Sequence, residues 1–281
     1  MDCLLDRNRV RAALECDGYM LLRSAVDEGV VEELRETTER CAASESIDVA
    51  GLTIPSFLAL QEYAPFRETL LSNRAVLECL DAVCGKEHRF LHHSDISIDR
   101  PSFWHKDRLN GPFRRFESLS PWETTRDGET MKIYKLLLYL QDHRDNNDSL
   151  KIIPGSHLRS EICVTGEKVV QLRPKLGDAI IFDQRLTHSG THNPAPSFRA
   201  SSPPRILVTL GFGANNIFSD DFERGTLARQ SEWRARASPP SGPILRAARF
   251  VGRALKHILP IVYITFPPEL VLCLASFFYE T

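Results

Sequence analysis

The sequence predicts an α+β protein whose β part is a sandwich or barrel of the jelly-roll kind. Two helical stretches occupy the first part of the chain, and short apolar or alternating runs follow Gly85. Gly, Pro, Asn or Asp bounds each of these runs, which is typical of strands joined by turns. Helices followed by many strands favour a β core with the early helices packed on one face.

The amino-terminal part is predicted to hold amphipathic helices. From Arg7 to about Ala43 the pattern is helical, with a break at Asp17-Gly18 and a short predicted strand from Tyr19 to Leu22. A second helical stretch runs from about Ala64 to Val83. Apolar residues three and four positions apart, with charges between them, indicate helices that cover a core.

The part of the chain after Gly85 is predicted to form six strands. They are Phe90–Ile98, Lys132–Leu140, Leu150–Ile153, Val169–Leu172, Ala179–Phe182 and Ile206–Phe212. A polar, charged segment between Arg108 and Met131 is too long for a hairpin turn, and long ordered loops of this kind often act as lids.

The chain is predicted to divide near residue 234, into a domain of residues 1–234 and a linker with a helical tail at 235–281. The linker is ARASPPSGP, and a basic amphipathic segment, Ile244 to Ile258, precedes the apolar stretch Leu259 to Tyr279. Pro267 and Pro268 leave apolar pieces well short of the ~20 residues that span a bilayer. Two roles stay open: packing on the β domain or on a second subunit of a homodimer, or peripheral contact with a membrane.

Composition is that of an ordinary globular protein, with 42% hydrophobic and 26% charged residues. With 35 basic and 37 acidic residues, the net charge of -2 provides no global field for nucleic acid, which is not expected as a partner. Charges interrupt the first residues, so no signal peptide is expected and the location is predicted to be cytoplasmic. Seven cysteines without a C-x-x-C pair argue against a disulfide framework or a cysteine zinc site.

Two H-x-D pairs offer metal ligands: His105 with Asp107, and His93 with Asp95. Residues two apart on a strand point to the same face, so either pair could hold one ion. One more histidine would complete a two-His-one-carboxylate set, which leaves coordination positions open on iron(II).

The third ligand is expected from a later strand. His188 follows the apolar run Ala179–Phe182, and His192 is its competitor. Spacing alone leaves both choices open.

Four stretches together resemble the phytanoyl-CoA dioxygenase-like branch of the 2-oxoglutarate oxygenases, from about Arg7 to Gln230. They are ECDGYMLLRSAVDEGVVEELRE, FWHKD, KLLLYLQDHRDNNDSLKIIPGSH and LGDAIIFDQRLTHSG. The resemblance implies a cupin-like double-stranded β-helix and a metal site formed by His105, Asp107 and His188. An aromatic residue directly before His105 distinguishes it from His93.

The same resemblance implies Fe(II) as the metal, with 2-oxoglutarate and O₂ as co-substrates. An arginine beyond the second histidine is expected to bind the distal carboxylate of 2-oxoglutarate, because its planar fork makes paired charge-assisted bonds. Arg205, at the start of a predicted strand, is preferred, and Arg199 is the alternative. Thr191 and Lys135 are further candidate contacts.

The expected reaction is hydroxylation of an unactivated C–H bond in a small organic or lipid-like metabolite, with release of succinate and CO₂. Two alternatives stay open. One is a non-catalytic cupin-like metal-binding or regulatory protein, and the other is a cupin-type enzyme that uses zinc or manganese. The substrate is not readable from the sequence, because one fold hosts many functions.

Overall fold

The computed structural model describes residues 6–43, 53–100, 102–109, 111–144, 149–190 and 204–237. The predicted tail lies beyond these ranges, and the division of the chain near residue 234 stays a prediction. Within these ranges, no helix is both long enough and apolar enough to cross a membrane.

The described residues contain five α-helices. They are α1 (Arg7–Ala12), α2 (Glu28–Ala43), α3 (Arg67–Leu71), α4 (Arg74–Cys84) and α5 (Ile217–Ala237). A π-helical turn, Ala13–Asp17, continues α1, and 3-10 turns occur at Phe57–Ala59, Gln61–Phe66, Gly111–Phe116 and Ser156–Leu158.

The break predicted after the first helix is confirmed at Gly18. Its φ of 80° lies in the left-handed region, which glycine adopts without steric cost. A Cβ at this position would also lie 2.5 Å from Nδ1 of His157. Backbone conformation and close packing therefore both require glycine here.

The described strands are arranged in two antiparallel sheets. They are β1 (Tyr19–Leu22), β2 (Thr53–Ile54), β3 (Arg89–Ile98), β4 (Ile133–Tyr139), β5 (Lys151–Ile152), β6 (Val170–Gln171), β7 (Ala179–Asp183), β8 (His188–Ser189) and β9 (Ile206–Gly213). The large sheet has the order β1-β7-β4-β9-β3-β2, and the small one has the order β6-β5-β8. A mixed protein with an antiparallel sheet is confirmed.

The two faces of the large sheet carry different residues. On one face, Leu136, Ile181 and Leu210 share an apolar cluster with Val31 of α2 and Leu80 of α4, so the early helices cover this face. Successive strand residues alternate between faces. The opposite face therefore presents the residues between these positions, and several of them line the cavity described below.

Helix α5 was not assigned from the sequence. It begins after Asn216, whose side chain accepts a hydrogen bond from the N–H of Ser219 (3.2 Å), a common N-cap arrangement. Phe218 and Phe222 are its buried aromatic residues within a small apolar cluster. The helix continues to Ala237, so the first residues of the predicted linker, from Ala235, belong to it instead. Its polar sequence gives little periodic signal.

Candidate metal centre

The His105–Asp107 segment is not a strand, contrary to the prediction. It joins its neighbour only through reciprocal backbone bonds between His105 and His188, each 2.9 Å long. A single bridge does not make the repeated ladder of a strand, which explains the difference. The bridge nevertheless places the first predicted histidine beside the second.

The ligand atoms of His105, Asp107 and His188 converge. All lie within 4.8 Å of one another, and they form a group that could hold a metal ion. Nε2 of His105 lies 3.6 Å from Oδ1 of Asp107, and Nε2 of His188 lies 3.3 Å from Oδ2.

Backbone carbonyls fix the orientation of both imidazole rings. Nδ1 of His105 lies 2.6 Å from the carbonyl oxygen of Phe103, and Nδ1 of His188 lies 2.9 Å from that of Leu186. A carbonyl only accepts, so each ring donates from Nδ1 and turns its Nε2 towards Asp107. Metal-binding histidines usually have this second hydrogen bond. The donor set therefore fits a divalent first-row metal ion.

Lys135 points inward from β4. Its Nζ lies 2.7 Å from Oδ2 of Asp107. Burial alone would raise the pKa of Asp107, but Lys135 and the two imidazoles hold it well below its usual value. The carboxylate is therefore ionised and available to a cation.

The two imidazoles have opposite pKa shifts. Burial, only partly offset by the charge of Asp107, lowers the pKa of His188 to about 4. For His105, the hydrogen bond and charge of Asp107 outweigh burial and raise the pKa. His188 is therefore neutral at pH 7, as metal ligation requires.

A cavity of about 810 Å³ adjoins the three residues. Its lining includes the basic residues Arg100, Lys106, Arg108, Lys135, Arg205 and Arg229 and the acidic residues Asp95 and Asp107. Basic side chains thus outnumber carboxylates among the described residues of the lining.

Arg205 lines the same cavity. One of its terminal nitrogens, Nη1, is 3.6 Å from the point that a Cβ on Gly190 would occupy, and Gly190 lies two residues after His188. Its other terminal nitrogen donates to the carbonyl of Arg100. The side chain of Tyr139 lies beside Arg205, and burial raises the pKa of Tyr139 to about 12.

The other predicted co-substrate contacts are not all described. Arg199 and Thr191 lie outside the described residues, as does His192, so the structure does not compare Arg199 with Arg205. The hydroxyl of Ser189, directly after His188, donates to the carbonyl of Ser102 (2.8 Å).

The second H-x-D pair forms a separate cluster. His93 is buried, and its Nδ1 accepts from Arg229 of α5 (3.0 Å). The same guanidinium lies 3.3 Å from Asp95, whose carboxylate is 3.5 Å from Nε2 of His93. The ring thus packs against a helix, as expected for an ordinary hydrogen-bonding residue.

Lys106 and Arg229 are cavity residues that sequence reasoning missed. The alternation of side chains along an extended segment predicts only that Lys106 points away from His105 and Asp107. Its acceptors are carbonyls of residues 50 and 79 positions away, which no local pattern identifies. Arg229 was missed because α5 itself was not assigned.

The fold of this chain is similar to that of several solved structures. AviO1 from Streptomyces viridochromogenes Tue57 is 19% identical, with a TM-score of 0.54 over 76% of this chain and 97% of that one. EctD from S. alaskensis, solved with 2-oxoglutarate and 5-hydroxyectoine, is 20% identical, with a TM-score of 0.57 over 76% of this chain and 77% of that one. The epimerase SnoN, in complex with Fe³⁺, α-ketoglutarate and nogalamycin RO, is 17% identical, with a TM-score of 0.52 over 74% and 83%.

Comparison with families gives a more specific result than these folds. No curated protein sequence matches the chain. The model of the family described as phytanoyl-CoA dioxygenase (PhyH) matches residues 14–201, a range that contains His105, Asp107 and His188. Because the match covers more than half of the sequence, the chain belongs to the phytanoyl-CoA dioxygenase family.

Proposed function

We propose that the protein is a non-haem Fe(II)- and 2-oxoglutarate-dependent dioxygenase that hydroxylates an unactivated C–H bond of a small molecule. The observation that carries this proposal is the convergence of two Nε2 atoms and one carboxylate in a member of this family. Orientation of both rings by carbonyls supports a metal rather than a structural role for these histidines.

His105, Asp107 and His188 would hold the iron. Three protein ligands leave the remaining coordination positions for the co-substrates. Bound iron, with 2-oxoglutarate and O₂, supplies the oxidising power that breaks the C–H bond. The protein's own contribution is to keep Asp107 ionised and the Nε2 lone pairs aimed at one point.

Arg205 is the proposed anchor for the distal carboxylate of 2-oxoglutarate. Its guanidinium lies next to Gly190, two residues after His188, and lines the same cavity as the three ligand residues. A guanidinium in that cavity suits a diacid whose other end the metal would hold. Arg199 remains the alternative anchor, and Thr191 a second proposed contact.

Lys135 remains a proposed co-substrate contact. Its ammonium pairs with the same carboxylate that would bind the metal. A metal ion would take over the charge of Asp107, and the ammonium of Lys135 would then be free to bind a carboxylate of 2-oxoglutarate.

The cavity lining narrows the substrate class. Three of the six basic residues already have a role, since Lys106 bonds to backbone carbonyls and Lys135 and Arg205 are proposed contacts of 2-oxoglutarate. The remaining Arg100, Arg108 and Arg229, against Asp95, favour a substrate with negative charge over a wholly apolar one, since a cleft lined by one sign of charge attracts the other. This modifies the lipid-like metabolite expected from the sequence, because a lipid would need an anionic group.

We also propose that the two sheets form a jelly roll. An apolar cluster joins Leu137 and Phe182 of the large sheet to Ile152 of the small one, which supports a jelly-roll arrangement. We propose a cytoplasmic enzyme. Membrane contact or dimer formation through the tail concerns residues outside the described ranges.

The proposal is tested by O₂-dependent conversion of 2-oxoglutarate to succinate. Purified protein with Fe(II), 2-oxoglutarate and an anionic candidate substrate should release succinate in air and none without O₂. His105→Ala and His188→Ala should abolish the release, whereas the exposed control His92→Ala should retain it. If the wild-type protein binds metal but releases no succinate with any anionic candidate substrate, the result would favour a non-catalytic metal-binding protein. Activity with zinc or manganese in place of iron would favour a cupin-type enzyme that uses one of those metals.

A further inference from the structure

We infer that Lys106 is a positioning residue of the metal centre, whose buried ammonium ties the segment of His105 and Asp107 to the segment of His188. The inference rests on the proposed metal site. It concerns a residue that is not itself one of the three ligands.

The contacts of Lys106 join separate parts of the chain. Nζ donates to the carbonyl oxygen of Ser156 (2.6 Å) and to that of Arg185 (2.7 Å). Arg185 lies three residues before His188, in the turn that leads into β8. One side chain thus bonds directly to the turn that delivers the second histidine.

Ser156 provides a second link to the same turn. Its hydroxyl accepts a hydrogen bond from the N–H of Thr187 (2.8 Å), and the N–H of Ile153 donates to the carbonyl of Thr187 (3.0 Å). Lys106 therefore bonds both to the turn before His188 and to the 3-10 turn at Ser156, which itself bonds to Thr187. Together with the reciprocal His105–His188 backbone bonds, these contacts fix the distance between the ligand segments.

The surroundings of Lys106 are unusual for a charged group. The residue is only 9% exposed, and its ammonium donates to two backbone carbonyls rather than to carboxylates. The ammonium also lies 5.7 Å from the ring centroid of Trp122, within the range of a cation–π contact. A buried lysine is costly unless its contacts compensate, so its presence needs a reason.

An uncharged residue would not serve the same purpose. Methionine has similar length but donates no hydrogen bond, so the carbonyls of Ser156 and Arg185 would lose their partner. The turn before His188 would then have one bond fewer to the segment of His105. Loss of order at a ligand support typically weakens metal binding about 10- to 100-fold.

The test is the affinity of the metal-free full-length protein for Co(II), with the visible Co(II) spectrum as a second readout. We expect Lys106→Met to bind Co(II) about tenfold or more weakly, with an altered spectrum. Lys106→Arg, which keeps a cation with several donors, should recover part of the affinity. In the metal-free Lys106→Met protein, the amides of His105 and His188 should exchange hydrogen faster.

A matched control separates positioning from general loss of stability. Val83→Ala removes buried apolar atoms from α4, on the helix-covered side of the sheet, and should lower thermal stability without changing Co(II) affinity. If Lys106→Met does not fold, Lys106→Gln, which keeps N–H donors on a shorter side chain, replaces it and should show the same weakening.

The outcomes distinguish this inference from the proposed function. Wild-type Co(II) affinity and spectrum in the Lys106 variants would overturn the positioning role and leave the metal site standing. A wild-type protein that binds no Co(II) would instead overturn the metal site itself.

Discussion

Nζ of Lys135 lies 2.7 Å from Oδ2 of Asp107, so the carboxylate predicted to bind metal is paired with a lysine from β4. Both side chains are mostly buried, at 14% and 15% exposed. Lys135 supplies positive charge at the place where the metal would otherwise do so. The pair therefore links the stability of the metal-free protein to its metal site.

Removing Lys135 should destabilise the metal-free protein more than the metal-bound one. Lys135→Met leaves a buried carboxylate without its cation, which costs about 3 kcal/mol in comparable pairs. A bound divalent ion would restore the missing charge. Thermal unfolding with and without Ni(II) measures the difference, with Lys132→Met as the control. An equal loss of stability in both states would contradict the coupling.

The protein should lose stability as the pH falls below about 6.5, in part through His93. Burial lowers the pKa of His93 to about 3 in the folded protein, whereas the unfolded chain has an ordinary pKa of ~6.5. Between these two pKa values the unfolded state binds more protons than the folded state. The neutral His93 ring therefore contributes fully to the free energy of unfolding above pH 6.5, and this contribution decreases as the pH falls towards 3. Denaturant titrations across this range should give a shallower decrease for His93→Gln. An identical pH dependence in both proteins would refute this assignment.

Arg205→Gln should raise the KM for 2-oxoglutarate about 10- to 100-fold. A hydrogen bond to a charged group contributes ~1.5–3 kcal/mol, and each 1.4 kcal/mol is a factor of ten. Arg199→Gln is the informative comparison, and the exposed Arg74→Gln is the control. Should Arg199→Gln give the larger effect, Arg199 rather than Arg205 would be the anchor.

Gly18→Ala should destabilise the fold by more than Gly166→Ala. Both glycines have φ near 80°, which costs an L-residue about 1 kcal/mol. Only at Gly18 does a Cβ meet packed atoms, at 2.5 Å from the His157 ring, whereas at Gly166 nothing lies within 4 Å. Overpacking adds roughly 1–3 kcal/mol. Equal changes in the midpoint of thermal unfolding would show that the His157 contact is unimportant.

Local pattern predicted most strands and the early helices. Periodicity and bounding turn residues located β3, β4, β7 and β9 to within a residue or two, because their buried faces are strongly apolar. Local pattern failed for α5, whose apolar residues do not follow a clear helical period. It also failed for the His105 segment, where a tertiary bridge replaces a strand ladder.

The candidate site was only partly readable from the sequence. Its three converging residues were predicted by resemblance to a family. Spacing alone did not separate His105 from His93, because both stand in H-x-D pairs. The contacts of Lys106 and Arg229 depend on residues distant in sequence, so no local pattern identifies them.

The most direct test of the central claim is the visible spectrum of the protein with Fe(II) and 2-oxoglutarate under anaerobic conditions. The account predicts a charge-transfer band in the wild type that is lost in His188→Ala and retained in His92→Ala. Absence of the band in the wild type, or its persistence in His188→Ala, would contradict a metal centre formed by His105, Asp107 and His188.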